Sequence, residues 1–167
     1  VTLNQGSFNV LLGRTLAGKT TLMRIMAGIE APTSGLIVMD GVDVTGVPVQ
    51  QRNISMVYQQ FINYPNLTVF ENIASPLRLA KIKESEITRR VKETADILQI
   101  SQFLNRFPLE LSGGQQQRTS MARALVKDAS LILFDEPLVN LDYKLREELR
   151  AELRTIFKER NCIAVYA

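Results

Sequence analysis

Short apolar runs alternate with amphipathic segments along this chain. Five mostly apolar runs predict strands, at residues 7–12, 36–39, 54–58, 131–134 and 162–166. The fourth run is apolar throughout, which is typical of a strand buried on both faces of a parallel sheet. The Asp40-Gly41 pair follows the second run and indicates a hairpin there.

Helical periodicity occupies much of the remaining sequence. Three segments place apolar residues on one helical face. Segment 20–27 has the stripe Leu22, Ile25 and Met26, and the segment from Ser85 onward has Ile87, Val91, Ala95 and Leu98. Segment 142–159 has Leu145, Leu149, Leu153 and Ile156. Thr68 and Glu71 fit a capping box that begins another helix, which Pro76 is expected to interrupt. The pattern predicts an α/β fold with a core of residues 1–72 and 118–167 and a mostly helical insertion of residues 73–117.

Composition limits the class of protein. The 167 residues are 46% hydrophobic, which suits one domain with a buried core. The net charge of +3, from 20 basic and 17 acidic residues, gives no support to nucleic-acid binding. No stretch has the roughly 18 to 20 apolar residues of a membrane-spanning helix, so we expect a cytoplasmic chain. Because the sequence begins at Val1 and stops inside an apolar stretch at Ala167, we expect a single domain truncated at both ends.

Residues 13–20 match the phosphate-binding P-loop pattern and lie between a predicted strand and a predicted helix. The segment reads Gly13, Arg14, Thr15, Leu16, Ala17, Gly18, Lys19 and Thr20, and Thr21 follows it. In such a loop Gly18 lets backbone amides approach the phosphates, Lys19 meets the β and γ phosphates, and Thr20 offers a hydroxyl to Mg²⁺. The alternative is a glycine turn before an ordinary helix. We therefore expect the chain to bind ATP together with Mg²⁺.

Asp135 and Glu136 directly follow the buried apolar run 131–134. A carboxylate at the end of such a strand can hold Mg²⁺ through its water shell, and its neighbour can orient and deprotonate an attacking water. Taken alone, two adjacent acids more often mark a solvated loop. With a P-loop upstream, the pattern favours Asp135 as a metal ligand and Glu136 as a catalytic base that acts with Lys19.

A second anion-binding helix terminus is predicted at Ser112, Gly113, Gly114 and Gln115. The serine can cap a helix, and the two glycines leave its first backbone amides bare. One nucleotide does not easily need two helix termini from the same chain, so this terminus is expected to serve ATP held by a partner subunit. The alternative is a simple capped helix.

The ordered set of P-loop, Gln59, residues 111–115, residues 131–137 and residues 140–142 resembles the nucleotide-binding domain of ABC proteins over nearly the whole chain. The resemblance implies a P-loop NTPase with a RecA-like core, a β-rich N-terminal part and an inserted ABC helical subdomain. It also implies that Gln59 contacts Mg²⁺ and the catalytic water, and that Asp142 reaches across a dimer interface to the nucleotide site. From the residues alone, Gln59 would be assigned to an ordinary loop surface.

The chain departs from the family pattern at two P-loop positions. Leu16 stands where ABC proteins usually have glycine, and Arg14 is an unusual, bulky cation. The adenine-stacking aromatic of the family would precede Val1. Its switch residue would follow Ala167, so neither is part of this sequence.

Residues 43–73 and 137–146 resemble the ATPase subunits of bacterial carbohydrate and polyol importers, and residues 60–65 are most similar to glycerol-type importers. The resemblance implies import of a sugar, glycerol or related polyol by a peripheral protein at the cytoplasmic face of the inner membrane. Its expected partners are a second ABC ATPase subunit, integral membrane permease subunits and, indirectly, a solute-binding protein, with no nucleic acid. A coupling helix of the permease would dock at residues 61–79, although the apolar residues there fit internal packing equally well.

The alternative function is that of a soluble ABC ATPase in DNA repair or translation. Repair proteins carry long coiled-coil or zinc-bearing insertions between Gln59 and the second helix terminus, whereas the interval here is short and lacks cysteine. A third possibility, a regulatory subunit without catalysis, is disfavoured because Lys19, Asp135 and Glu136 are all present.

Overall fold

The computed structural model describes residues 1–58, 60, 62–138, 143–144, 146–147, 150–151, 153, 157 and 162–167. Six strands lie within this part of the chain: β1 (Phe8–Val10), β2 (Val38–Met39), β3 (Val42–Asp43), β4 (Ile54–Val57), β5 (Leu131–Phe134) and β6 (Ile163–Tyr166). Four of them form a parallel sheet in the order β1-β6-β5-β4. Each of the five predicted strand regions therefore contains a strand.

Strands β2 and β3 form the predicted hairpin. They pair antiparallel, with Val38 opposite Asp43 and Met39 opposite Val42. The two turn residues, Asp40 and Gly41, have φ angles of 50° and 79°. Positive φ at both central positions is the requirement of the tight turn that matches strand twist, and this explains the Asp-Gly pair.

Four helices have described bounds: α1 (Lys19–Ala27), α2 (Val69–Leu79), α3 (Glu84–Ile97) and α4 (Gly113–Leu125). The predicted interruption at Pro76 is wrong, because α2 continues through this residue. Proline cannot donate a backbone hydrogen bond to the carbonyl four residues earlier, which is that of Asn72. The hydroxyl of Ser75 donates to this carbonyl at 2.8 Å instead, so the helix keeps its acceptor satisfied.

Helices cover both faces of the parallel sheet. On one face, Met23 and Ala27 of α1 pack with Leu131 and Leu133 of β5. On the other face, α2, α3 and α4 pack together over the alternate residues of β5, Ile132 and Phe134. The predicted stripe of α3 is confirmed, since Ile87, Val91, Ala95 and Leu98 are all buried. The fold is the predicted α/β arrangement, and strands β4, β5 and β6 each contribute residues to both layers.

The predicted division into a core and a helical insertion stays a prediction. Its boundaries after residues 72 and 117 fall inside α2 and α4, which are continuous across them. The predicted helix 142–159 lies largely outside the described residues. Those that are described between 143 and 157 are helical, and Leu153 and Phe157 are buried. None of the helices in the described part of the chain is both long and apolar enough to cross a membrane.

Candidate functional site

The P-loop connects the carboxyl end of β1 to the first turn of α1. Residues 12–18 are exposed, and Gly18 caps the helix with a φ of 85° and no side-chain hydrogen bond. The first backbone amides of α1 therefore have no capping side chain, and no acidic residue lies in the first turn. A helix amino terminus with free amides and no acidic neighbour favours the binding of an anion.

The side chain of Lys19 reaches back across the P-loop to its first residues. Its Nζ donates hydrogen bonds to the carbonyl oxygens of Gly13 at 3.1 Å and Arg14 at 3.3 Å. The backbone N–H of Ala17 also donates to the carbonyl of Arg14, at 3.1 Å. These hydrogen bonds hold the loop as a closed turn with the ammonium group on it. A phosphate bound in the loop would lie within reach of this cation.

Thr20 and Asp135 meet although they are far apart in sequence. The hydroxyl of Thr20, in the first turn of α1, donates to Oδ1 of Asp135 at 2.9 Å. Asp135 directly follows β5, and its backbone N–H donates to the carbonyl of Val57 at 2.9 Å. The carboxylate is almost fully buried at 7% exposure. The sheet order brings these residues together, since only β6 separates β1 from β5.

This pair of oxygens fits Mg²⁺. A hydroxyl and a carboxylate at hydrogen-bonding distance are hard ligands, and Mg²⁺ is usually held by one or two such groups, waters and substrate phosphates. Thr20 and Asp135 are the two described residues of the predicted metal set. Gln59, the third, lies outside the described residues.

Glu136 has a left-handed backbone, with a φ of 46°. Its N–H donates to the carbonyl of Ala167 at 3.2 Å, so the residue is anchored to the end of β6. Left-handed φ is costly for a residue with a side chain, and such residues often occur at functional sites. The half-buried side chain starts from the residue next to Asp135, which suits the predicted role of a base beside the metal ligand.

Ser112 caps α4 as predicted. The N–H of Gln115 donates to Oγ of Ser112 at 3.4 Å, and the N–H of Ser112 donates to Oε1 of Gln115 at 2.9 Å. Gly113 and Gly114 occupy the first helical positions, the first turn has no acidic residue, and the space beside Gly113 is open. This second helix terminus is therefore also available to an anion.

The two helix termini belong to opposite layers of the fold. Helix α1 packs on one face of the sheet, and α4 packs on the other face. The structure brings Lys19, Thr20 and Asp135 into one site, and it places Ser112–Gln115 on a separate helix. Thr15, Leu16, Ala17 and Thr21 are exposed around the P-loop. Asp142, like Gln59, lies outside the described residues.

Two arginines that donate to backbone carbonyls, one buried and one half-buried, were not predicted. Arg52 is 5% exposed and donates to backbone carbonyls at the end of α1 and in residues 44–47. Arg123 of α4 donates to the carbonyl of Ile62 and lies 4.9 Å from the centre of the Tyr64 ring. Burial lowers the pKa of both guanidinium groups. Single arginines carry no periodic signal, so the pattern of the sequence offered no means of finding them.

Comparisons with known proteins agree with this geometry. The family described as "ABC transporter" matches residues 1–139. The chain is 45% identical over 157 residues to a spermidine/putrescine import ATP-binding protein of Aliivibrio fischeri, covering 94% of this chain and 42% of the relative. It is 48% identical over 161 residues to a glucose import ATP-binding protein of Saccharolobus solfataricus, covering 93% and 46%. An sn-glycerol-3-phosphate import ATP-binding protein of Bordetella avium is 43% identical and is matched over 98% of this chain and 45% of its own length.

One solved structure is a dimeric ATP-binding cassette in a post-hydrolysis state, bound to ADP and Pi. It superposes with a TM-score of 0.87 at 30% identity and covers 99% of this chain and 76% of the other. The chain spans less than half the length of the curated relatives described above. The match over most of the chain, the shared fold and the P-loop site together show that the chain belongs to the ABC transporter family.

Proposed function

We propose that this chain binds ATP with Mg²⁺ and hydrolyses it as the nucleotide-binding domain of an ABC import system. The observation that carries the proposal is the 2.9 Å hydrogen bond between Thr20 and Asp135, because it joins the P-loop helix to the strand that also positions Glu136. Backbone amides of residues 13–21 bind the phosphates, and Lys19 neutralises their charge. Thr20, Asp135 and Gln59 would hold Mg²⁺, which when bound would neutralise charge on the phosphate oxygens.

Glu136 is the proposed catalytic base. It accepts the proton of the water that attacks the γ-phosphate, and Gln59 helps to orient this water. The strained backbone of Glu136 supports the assignment, because it fixes the start of the side chain directly after the metal ligand. Lys19, Glu136 and Gln59 are thus the catalytic set.

The active form is a pair of such domains. The terminus at Ser112–Gln115 has no acidic residue in its first turn and lies on the layer opposite the P-loop, so it is proposed to bind the nucleotide of a partner ATPase subunit. Asp142 contributes from the same interface. The dimeric state of the solved relative supports this pairing. Closure on ATP and opening after hydrolysis drive integral membrane permease subunits, to which the chain binds as a peripheral protein at the cytoplasmic face of the inner membrane.

The transported solute is proposed to be a sugar, glycerol or related polyol. Relatives named for glucose, sn-glycerol-3-phosphate and trehalose/maltose import support this class. Relatives named for spermidine/putrescine import are equally similar, so a polyamine is the competing solute. The ATPase does not contact the solute, which a permease and a solute-binding protein select.

Hydrolysis is tested in the complete subunit by comparing Glu136→Gln with Lys19→Ala. Glu136→Gln is expected to slow turnover by about 10² to 10⁴-fold, the range for loss of a general base, while ATP binding is retained. Lys19→Ala is expected to weaken nucleotide binding as well as catalysis. Near-normal hydrolysis by the Glu136 variant, or unchanged nucleotide affinity in the Lys19 variant, would remove the corresponding assignment.

The transport role is tested by affinity purification of the complete subunit from detergent-solubilised membranes of its native host. Recovery of permease subunits and a solute-binding protein supports an importer, and binding assays with that protein then separate polyols and sugars from polyamines. Recovery of only ribosomal or DNA-associated proteins contradicts transport and favours the soluble alternative.

A further inference from the structure

The segment that carries Gln59 begins beside the candidate metal site. Val57 is the last residue of β4, and its carbonyl accepts a hydrogen bond from the N–H of Asp135 at 2.9 Å. Val57 is also almost fully buried and lies opposite Phe134 in the parallel ladder. Because Gln59 follows only two residues later, one end of its segment is fixed relative to Asp135.

The other end of this segment is fixed to α4. Arg123 donates to the carbonyl of Ile62, and its guanidinium lies 4.9 Å from the centre of the Tyr64 ring. Between these two residues, Nδ2 of Asn63 donates to the carbonyl of Gln116 at 2.8 Å. Three consecutive residues after Gln59 therefore contact the same helix.

The turn that follows Tyr64 is held by Asn72 of α2, which is fully buried. Its Oδ1 accepts from the N–H of Tyr64 at 2.8 Å, and its Nδ2 donates to the carbonyls of Tyr64 and Leu67 at 3.0 and 2.9 Å. Helix α2 packs in turn against α4. Residues 62–64 are therefore anchored to this pair of helices.

The chain between the two anchors is short. Only four residues, 58–61, separate Val57 from Ile62. Each residue adds at most about 3.6 Å of reach, so a shift of a few ångströms at either anchor is passed on to the segment. A displacement of about 1 Å at a catalytic group can lower a rate by about 100-fold. The anchor on α4 is thus close enough in sequence to affect catalysis by Gln59.

Polar atoms at this anchor lack partners in the described part of the chain. They are Nη1 of Arg123, Oδ1 of Asn63 and both side-chain amide atoms of Gln117, the residue after Gln116, and all of them are buried. Burial of an unpartnered polar group lowers stability, so this contact is a poor way to stabilise the fold. Such a contact favours a role in positioning over a role in stability.

We propose that Arg123 is a positioning residue for Gln59, because it anchors residues 62–64 to α4. The proposal rests on the proposed function, in which Gln59 binds Mg²⁺ and orients the attacking water. Arg123 contacts neither the nucleotide nor the metal on this proposal, and its effect on hydrolysis passes through Gln59.

Arg118 offers a matched control on the same helix. It is 8% exposed, and its Nη1 donates to the carbonyl of Leu98, at the end of α3, at 3.0 Å. It resembles Arg123 in its charge and in donating to a backbone carbonyl, but its acceptor is remote in sequence from the Gln59 segment. Arg118→Ala is therefore expected to destabilise the fold without changing how hydrolysis depends on Mg²⁺.

Steady-state hydrolysis by the complete subunit tests the positioning role. The rate is measured over ranges of ATP and Mg²⁺ concentration, at a temperature where urea denaturation shows each variant to be folded. Arg123→Ala is expected to lower kcat by about 10- to 100-fold and to raise the Mg²⁺ concentration for half-maximal rate by about 10-fold, while the affinity for ATP without Mg²⁺ changes by less than about 2-fold. Arg123→Lys should recover part of kcat, because an ammonium group can still donate to the carbonyl of Ile62.

A double-mutant cycle with Gln59→Ala separates positioning from a general structural effect. If Arg123 acts through Gln59, the variant with both Gln59→Ala and Arg123→Ala hydrolyses ATP no more slowly than Gln59→Ala alone. Any effect of Arg118→Ala should instead multiply with that of Gln59→Ala. Asn63→Ala removes the bond to the carbonyl of Gln116 and should behave like Arg123→Ala, so it completes the cycle if Arg123→Ala does not fold.

The outcomes separate this proposal from the proposed function. If Gln59→Ala hydrolyses ATP at the parental rate, the role of Gln59 in the proposed function is wrong and the positioning role is wrong with it. If Gln59→Ala is slow but Arg123→Ala keeps the parental kcat and Mg²⁺ dependence, only the positioning role is overturned. The positioning role is also overturned if Arg123→Ala slows the Gln59→Ala variant by the full factor seen in the parent, because Arg123 then acts independently of Gln59.

Discussion

Arg52 is expected to be one of the residues on which the stability of the fold depends most. Its guanidinium is 5% exposed, and it donates to the carbonyls of Val44, Val47 and Met26 at 2.6, 2.8 and 2.9 Å, with a weaker bond to Ile25 at 3.4 Å. Two of these acceptors, Met26 and Ile25, lie in the last turn of α1, and the carbonyl of Ile25 also accepts from the N–H of Gly28 at 3.0 Å. The positive charge also compensates the helix dipole there.

The cost of Arg52→Ala follows from these contacts. A net loss of about 1 to 1.5 kcal/mol for each of the three well-formed bonds gives a decrease of about 3 to 4.5 kcal/mol in the free energy of unfolding, since the carbonyls lose their donors. Arg52→Lys should recover only part of this loss, because an ammonium group cannot reproduce the fan of donors of a guanidinium.

Urea denaturation of the complete subunit, followed by circular dichroism without nucleotide, measures this loss. The matched control is Arg24→Ala, because Arg24 lies on α1 and pairs with Glu30 while both side chains are well exposed. This control is expected to cost less than about 1 kcal/mol. A loss for Arg52→Ala no larger than that of the control would refute the conclusion that the buried guanidinium holds α1 in place.

Three further predictions concern backbone and charge. Gly28→Ala should lower the free energy of unfolding by about 2 kcal/mol or more in the same denaturation assay, because Gly28 has a φ of 77° and its added Cβ would lie 2.6 Å from Cζ of Arg52. Leu16 has a left-handed φ of 65°, so Leu16→Gly should raise the free energy of unfolding by about 0.5 to 1 kcal/mol, whereas the β-branched Leu16→Val should lower it. Equal stability of the two variants would contradict backbone strain at this position. Hydrogen bonds from Arg89 and Arg90 lower the pKa of Glu86 to about 2, so the stability that they contribute is complete above about pH 4.5 and is lost as the pH falls toward 2. Unfolding at pH 7 and pH 3 should therefore show a smaller pH dependence in Glu86→Gln than in the parent, and an identical dependence would exclude this contribution.

Periodicity predicted the layers only in part. The predicted stripe of α1 is wrong at Leu22, which is 43% exposed, and the buried residues of this helix are Met23 and Ala27. The stripe of α3 and the continuous apolar run of β5 both reflect which faces are buried, and the structure confirms both. Pro76 was misjudged for a different reason. Its cost to a helix depends on whether the freed carbonyl finds another donor, and the Ser75 hydroxyl that supplies it is visible only as a contact.

Part of the candidate site could be predicted from the spacing of its motifs. Motif spacing located Lys19, Thr20 and Asp135, since each has to follow a strand or begin a helix. Spacing does not encode backbone angles, so the left-handed conformation of Glu136 was not predictable. Nor does it encode long-range hydrogen bonds, so the buried partners of Arg52 were missed.

The arrangement of helices around the sheet bears on why such a domain would act in pairs. Helix α1 offers its amino terminus from one layer and α4 from the other, and each terminus lacks an acidic residue that would satisfy its positive end. Two electropositive helix termini are costly to bring together without an anion. On the proposed function, the nucleotide provides that anion between two protomers, so its presence favours association and loss of the γ-phosphate weakens it. On this proposal, the coupling of hydrolysis to movement follows from electrostatics at the interface between the two protomers.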